Sequence, residues 1–309
     1  MIVAISPGKV ILLGEHGVVY GKPCLSMAIS LKVAVNIEKN KEFTVNSLPL
    51  DERRHVYIKK AINKIWDGEP ISITTFSQIP SASGLGSSAA ITTACVAALL
   101  AMKGKFNLED VAKKSFEVEY EVQGGASPND TSVCTYGNAI LTWEKKMPGY
   151  LWGTAKDGRE WFVYPVKVHD MKVVIGHTGI KSKTPLLIKK IRKFVEYSSF
   201  GRELINEMES LVIEGKEALE NRDFVKLGSI MNENHKILHT LGASSKEIEK
   251  LRLAALKAGA YGAKLTGAGG GGSIIAIGDN PEKIAEAIEK KRGKVYIVST
   301  AKEGVKILK

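Results

Sequence analysis

Residues 79–102 read IPSASGLGSSAAITTACVAALLAM, and this stretch decides the fold: an extended segment runs into a Gly/Ser loop and then a long apolar helix. A junction of this kind binds anions. The first backbone N–H groups of a helix have no partner within it, and the helix dipole is positive at that end. Gly84 and Gly86 carry no Cβ, so a phosphate can approach the backbone closely. Ser87 and Ser88 add hydroxyls at the same point, able to meet phosphate or a metal ion on it.

The loop formed by Gly84, Leu85, Gly86, Ser87, Ser88 and Ala89 also fits the dinucleotide fingerprint G-x-G-x-x-A. That fingerprint needs a following strand that ends in an acidic residue. Here the helix leads instead into MKGKFNLEDVAKK, whose spacing predicts a second helix with Asn107 as N-cap and Asp110 as its capping-box partner. Walker A is absent, because no Gly-Lys pair in the chain is followed by Ser or Thr. Taken alone, the stretch is also compatible with a glycine turn ahead of an ordinary core helix.

Two outer segments change that balance: SPGKVILLGEHGVVYGKP, Ser6 to Pro23, and KLTGAGGGGSIIAIG, Lys264 to Gly278. In this order, the three segments resemble the three motifs of the GHMP kinases, small-molecule kinases named for galactose, homoserine, mevalonate and phosphomevalonate. The first segment is most similar to the mevalonate kinase branch. The resemblance implies an α+β, two-domain GHMP kinase fold with the active site in the interdomain cleft, the N-terminal domain at 1–166 and the C-terminal domain at 167–309. It implies ATP as co-substrate, Mg²⁺ as the metal, and mevalonate as the acceptor whose primary hydroxyl takes the γ-phosphate. Phosphoryl transfer needs a phosphate cradle, a divalent metal, a positive group and a residue that orients the nucleophile.

The resemblance places each of these. Asp130, closing GGASPND, is the carboxylate that orients the acceptor hydroxyl and takes its proton, and Lys9 pairs with it. The surrounding SPND departs from the family's commoner SGVD. Ser88 and Glu119 are the metal ligands, hard oxygens of the kind Mg²⁺ prefers. Gly84 to Ala89, with Gly267 and Gly269, take the nucleotide, and Glu15, His16 and Thr266 the acceptor. Val18 and Val19 form an apolar wall suited to a small methyl-bearing acid. Lys181 and Lys183 are candidate contacts for a carboxylate or phosphate, and the arginine some relatives carry here is missing between Asp170 and Arg192. Without the resemblance, the same residues read more blandly. Ser87, Ser88 and Asp130 become helix caps, Lys9 a surface charge, Glu117, Glu119 and Glu121 a solvated acidic face, and Thr266 to Gly272 a flexible turn.

Composition agrees. The 309 residues allow two modest domains, and 44% apolar with 25% charged residues is ordinary for a globular protein. The net charge of +11 suits anionic ligands. It also suits nucleic acid, but the lysines are scattered among apolar helix positions with no aromatic-rich motif beside them, so no nucleic-acid partner is expected. An RNA-binding module would leave Lys9, Asp130 and both glycine loops without a purpose, and a catalytically dead regulator would be expected to lack one of that pair. Cys24, Cys95 and Cys134 are too dispersed for a disulfide framework or zinc site. With no secretory leader or bilayer-length apolar run, the expectation is a cytoplasmic protein without a membrane partner; a homodimer is compatible with the sequence.

Periodicity predicts strands at Ile2–Ser6, Lys9–Gly14, Leu31–Glu38, Phe43–Ser47, Ile71–Ser77 and Asn138–Glu144, and a helix at Arg53–Trp66. Asp157-Gly158 predicts a hairpin. After a strand at MKVVIGH, further helices are expected at Asn206–Asn221, Asp223–His239, Lys246–Ala258 and Pro281–Arg292. Strands at Ser273–Ile277, Val295–Ser299 and Val305–Leu308 are expected to close the second sheet.

Overall fold

A computed structural model describes residues 1–81, 83–181 and 184–308. In chain order the elements are β1 (Ile2–Leu13), a 3₁₀ turn (Gly17–Tyr20), β2 (Cys24–Lys39), β3 (Thr44–Val45), β4 (Leu48–Pro49), α1 (Val56–Ile65), β5 (Ile71–Ser77), α2 (Ser87–Met102), α3 (Leu108–Gln123), α4 (Asn129–Tyr136), β6 (Ala139–Trp143), β7 (Trp152–Lys156) and β8 (Arg159–Val166). There follow β9 (Lys172–His177), α5 (Thr184–Tyr197), α6 (Ser199–Glu220), α7 (Phe224–Thr240), α8 (Lys246–Lys257), β10 (Gly262–Thr266), β11 (Ser273–Ile277), α9 (Pro281–Glu289), β12 (Lys294–Ser299) and β13 (Lys306–Leu308). The fold is α+β, with a larger sheet running β4-β3-β5-β2-β6-β8-β7 and a four-stranded sheet in the order β10-β11-β9-β12. β1 joins the larger sheet beside β2.

The core is organised around α2. Its first turn is Ser-Ser-Ala-Ala, and the rest is small and apolar, so it can be buried on every side. It packs on β1 and β2 and against α1, α3 and α4. The apolar cluster this creates does not stop at the first sheet. It continues through Val212, Leu227 and Met231 to Ile275 and Ile277 of the second. A second cluster lies on the opposite face of the smaller sheet, under α5, α8 and α9. No helix among the described residues is long and apolar enough to cross a membrane.

Local signals hold where one interaction sets the geometry. Asn107 caps α3 by accepting from the Asp110 N–H at 2.8 Å. Asp157 and Gly158 both take positive φ between the paired strands β7 and β8, as a two-residue hairpin requires. Three expectations need correction. Ile2–Ser6 and Lys9–Gly14 are one strand, because the irregularity at Pro7-Gly8 is absorbed as a bulge against β2. β2 begins at Cys24 rather than Leu31; its first six residues are all buried, so no alternation marks them. The C-terminal strand does not close the second sheet. It returns to the first, with Val3 opposite Leu308.

A buried polar strut ties α7 and α8 to β10. The Leu265 N–H donates to His235 Nδ1 at 3.1 Å, and His235 Nε2 lies 2.7 Å from Glu249 Oε1. His239 joins them, and the three side chains have ligand atoms close enough together to hold a metal ion. The backbone donor at Nδ1 argues against that use, since it fixes the imidazole proton on Nε2, where a metal would have to bind. The strut is instead a neutral histidine donating to a carboxylate. Burial lowers the His235 pKa to about 4, against the opposing pull of Glu249. Hydrogen bonds from Ser244 and His235 overcome the effect of burial on Glu249 and hold it at about 2.

Unfolded His235 takes up its proton near 6.5 and the folded residue near 4. Between those values the unfolded chain binds more protons, so stability falls as pH drops, by roughly 3 kcal/mol across the window. Glu249 extends the loss at lower pH, as its folded value is depressed from 4.5. In His235→Gln, whose amide can fill both hydrogen-bonding roles, urea unfolding between pH 7 and pH 4.5 is expected to show a shallower decline than in the wild type. An identical slope in both proteins would refute the assignment.

Candidate functional site

Three segments distant in sequence meet at the C-terminal half of β1. Lys9 lies on that strand, and its N–H donates to the Leu85 carbonyl at 3.0 Å, which stitches the strand to the Gly84–Ala89 loop. The Lys9 side chain then runs across Gly86. A Cβ there would lie 2.6 Å from Lys9 Cγ, and Gly86 has a φ of +75°. Gly84, at φ +80°, faces the third segment: its Cβ would lie 2.7 Å from the Thr266 carbonyl oxygen. The two glycine loops therefore pack backbone to backbone. The Ser273 hydroxyl adds a hydrogen bond to the Ser83 carbonyl at 2.7 Å.

Gly86 is the N-cap of α2, and no side chain caps the helix. Ser87 and Ser88 are thus not used as caps, and the first amides of α2 have no side-chain acceptor. Asp130 is not a cap either, since α4 begins after Pro128 without a side-chain cap. Its Oδ2 instead meets Lys9 Nζ at 2.7 Å, with Lys9 buried and Asp130 one-third exposed. Burial acts to strip the charge from Lys9, and Asp130 outweighs it, so the lysine pKa is raised. Asn129 Nδ2 donates to Asp130 Oδ1 at 2.9 Å and to Ser26 Oγ at 2.8 Å, fixing the carboxylate from its other side.

Glu117, Glu119 and Glu121 of α3 divide as their helical positions require. Glu117 and Glu121 pair with Lys64, and Glu121 also with Lys60, joining α1 to α3 on the outside. Glu119 points inward and is 2% exposed. Burial, reinforced by the nearby Asp130 charge, pushes its pKa up to about 8. Among the described residues it accepts one hydrogen bond, from Gln123 Nε2 at 2.9 Å. Tyr57 of α1 lies where Glu119, Gln123 and Ser88 all act on its hydroxyl, so the two expected metal ligands flank one side chain. An inward carboxylate short of protein partners beside the Ser88 hydroxyl is a donor set that fits a hard divalent cation.

The first and third segments are joined by three more contacts. Thr266 Oγ1 accepts from the Ile11 N–H at 2.9 Å and donates to the Ile11 carbonyl at 3.2 Å, so its hydroxyl is spent on β1. His16 Nε2 lies 2.9 Å from the Ala268 carbonyl, and burial lowers the His16 pKa. Glu15 is ion-paired with Lys264. Gly267 and Gly269 to Gly272 all take positive φ. That run is pinned: the Gly270 N–H donates to Ala243 and the Gly272 N–H to Ile180. Val18 and Val19 lie in the 3₁₀ turn, where Arg159 donates to both their carbonyls. Lys181 is exposed, and Lys183 lies outside the described residues.

Sequence reasoning missed Lys264, Asn129, Gln123 and Tyr57. Lys264 alone carried a signal: a lysine inside GAKLT, where every residue is buried. The arrangement as a whole offers an anion cradle, a partly exposed ion-paired carboxylate, and a buried carboxylate suited to a cation.

Gly86→Ala is expected to lose activity by at least ~100-fold and about 1–2 kcal/mol of stability, from the left-handed backbone and the encounter with Lys9. Gly104, at φ +67° with nothing within 4 Å of a Cβ, is the control. Gly104→Ala should cost stability and leave kcat unchanged. Equal loss of activity in both variants would show that the close approach at Gly86 is unimportant.

Comparison with known proteins identifies the family. Residues 56–138 match the family model for the GHMP kinase N-terminal domain, and residues 216–295 that for the GHMP kinase C-terminal domain. A mevalonate kinase of Thermococcus sibiricus is 33% identical, covering 99% of this chain and 98% of the relative. One from Methanothermobacter thermautotrophicus is 33% identical over 88% of this chain and 89% of its own length. Among solved structures, the mevalonate kinase of Methanococcus jannaschii aligns with a TM-score of 0.79 and 27% identity, covering 96% of this chain and 98% of that one. The L. major mevalonate kinase in complex with R-mevalonate shares the fold, with a TM-score of 0.81 at 24% identity over 96% of this chain and 94% of that one.

Proposed function

The chain belongs to the GHMP kinases, ATP-dependent kinases of small-molecule alcohols, and we propose that it transfers the γ-phosphate of ATP to the primary hydroxyl of mevalonate, giving 5-phosphomevalonate. The observation that carries this reading is the pairing of buried Lys9 with partly exposed Asp130 beside the uncapped start of α2. Full-length similarity to mevalonate kinases supports the choice of acceptor.

In this reading the nucleotide phosphates lie on Gly84 to Ala89, against the free amides of α2 and its dipole. The acceptor hydroxyl lies against Asp130, whose two oxygens are fixed by Lys9 and Asn129. As the hydroxyl oxygen bonds to the γ-phosphorus and the bond to the ADP oxygen breaks, its proton passes to Asp130. The Lys9 ammonium offsets charge on the entering oxygen and the transferring phosphoryl group. Ser88 and Glu119 would hold Mg²⁺, which when bound offsets the charge of the nucleotide phosphates. Glu15 and His16 face the acceptor. Gly267 and Gly269 support the nucleotide loop from behind, and Thr266 contributes by holding β1 rather than through a free hydroxyl. We place the domain boundary at 166/167, between β8 and β9, with β13 returning to the N-terminal sheet.

An ADP-release assay with Mg²⁺-ATP against mevalonate, phosphomevalonate, galactose, homoserine and shikimate is expected to show turnover with mevalonate alone. Turnover with another acceptor would overturn the substrate assignment and leave the phosphate site intact. Asp130→Asn should lower kcat by about 10²–10⁴-fold while retaining ATP binding, because the loss falls on proton transfer and orientation. Activity within a few-fold of wild type would exclude Asp130 from that role. Glu119→Gln should raise the Mg²⁺ concentration needed for half-maximal rate, and an unchanged requirement would remove it from the metal site.

A further inference from the structure

Asn129 opens the first turn of α4, one residue before Asp130, and is 2% exposed. Its amide is fully employed. Nδ2 donates to Asp130 Oδ1 at 2.9 Å and to Ser26 Oγ at 2.8 Å, and Oδ1 accepts from the Thr142 hydroxyl at 3.2 Å. The orientation of that amide follows from chemistry. An ionised carboxylate can only accept, so Nδ2 must face Asp130, and the amide oxygen is then the atom that meets Thr142.

Ser26 stands on β2 and Thr142 on β6, and the two strands pair with Cys24 opposite Thr142. Ser26 is two residues beyond Cys24, so both hydroxyls project from the same face of the larger sheet. Both residues are fully buried. Asp130 Oδ1 is therefore referred to the sheet through one side chain.

The segment that leads to Asp130 is lightly packed by comparison. Gly124 and Gly125 take φ of +69° and +129°, with nothing within 4 Å of a Cβ at either. α4 is eight residues long and starts without a side-chain cap. Lys9 holds Oδ2 at 2.7 Å, but one ion pair leaves a carboxylate free to turn about its Cβ–Cγ bond. The second contact, on the other oxygen, removes that rotation. Position 129 is also where SPND has an amide and the commoner SGVD an apolar side chain, so the clamp accompanies this chain's own departure from the pattern.

We propose that Asn129 is a positioning residue for phosphoryl transfer: bracketed by Ser26 and Thr142, it locks the plane of the Asp130 carboxylate so that the acceptor hydroxyl meets it in one fixed orientation. This rests on the role given to Asp130 above and names the residues through which the larger sheet sets that role.

The test is a pair of double-mutant cycles read in kcat, with thermal unfolding of each variant alongside. Asn129→Leu removes the amide at similar volume and should lower kcat by ~10–100-fold with an unchanged KM for ATP, because small misplacements of a reacting group are costly. In the Asp130→Asn background the same change should cost less than ~3-fold, since the group being positioned is gone. Thr142→Val, nearly isosteric and one step further from Asp130, should cost ~3–10-fold alone and less than ~2-fold in the Asp130→Asn background. It decides the question if Asn129→Leu does not fold. Equal fold-losses with and without Asp130, or a kcat within ~2-fold of wild type in the folded single variants, would reduce Asn129 to a structural tie and overturn the proposal. The cycles are read on whichever acceptor turns over, so a wrong assignment of mevalonate leaves them standing. Asp130→Asn with near-wild-type activity would overturn the role of Asp130, and this proposal with it.

Discussion

The site depends on one steric constraint: the C-terminal half of β1 must pass flush against two glycine loops that also touch each other. Lys9 crosses Gly86, and Gly84 meets the backbone at Thr266. None of these approaches leaves room for a Cβ. Thr266 then locks the second loop to β1 through both the N–H and the carbonyl of Ile11. The result is a rigid junction in which a lysine, a helix N-terminus and the smaller sheet are held in one arrangement. Phosphoryl transfer gains most from this kind of fixed positioning, because little covalent work falls to the protein.

Charge is distributed around that junction by strict pairing. Of the chain's surplus of +11, two lysines are placed in the interior, and each has one carboxylate. The partners differ in exposure, and the difference separates their roles. Asp130 is one-third exposed, so the buried Lys9 keeps its charge beside a carboxylate that a reacting group can reach. Glu15 and Lys264 are sealed, and burial pushes each towards its neutral form against the pull of the other. The first pair is placed to act on charge that appears during reaction, and the second ties the smaller sheet to the loop after β1.

How far the sequence foretold this varies with the physics. The loop–helix junction at 84–89, the Asn107 cap and the Asp157-Gly158 hairpin were legible because each is set by neighbours within a few residues. Helical position also separated Glu119 from Glu117 and Glu121. The start of β2 was hidden because a strand buried on both faces has no alternation to read. The destination of β13 was hidden because pairing between residues 3 and 308 has no local signature. Lys264 and Asn129 went unseen for the same reason: their partners, Glu15 and Ser26, are remote in sequence. Thr266 could be read as a pocket residue, but only the folded chain shows its hydroxyl committed to Ile11.

Three groups short of protein partners lie around that junction, while others, such as Asn36, Trp161 and Asn234, lie elsewhere. The amides that open α2 lack a side-chain cap, Glu119 is a buried carboxylate with a single protein donor, and Glu15 Oε2 has none. Elsewhere the described helices α3, α6, α7, α8 and α9 carry ordinary side-chain caps. α1 and α4, like α2, have no side-chain cap. Each unmet group also calls for a different partner: an anion for the amides, a cation for Glu119 and a hydroxyl for Glu15. These three chemistries are those of a nucleotide phosphate, its metal and a hydroxy acid, and folding alone does not satisfy them. Around this junction the chain departs from its own local rules in ways that ligands would complete.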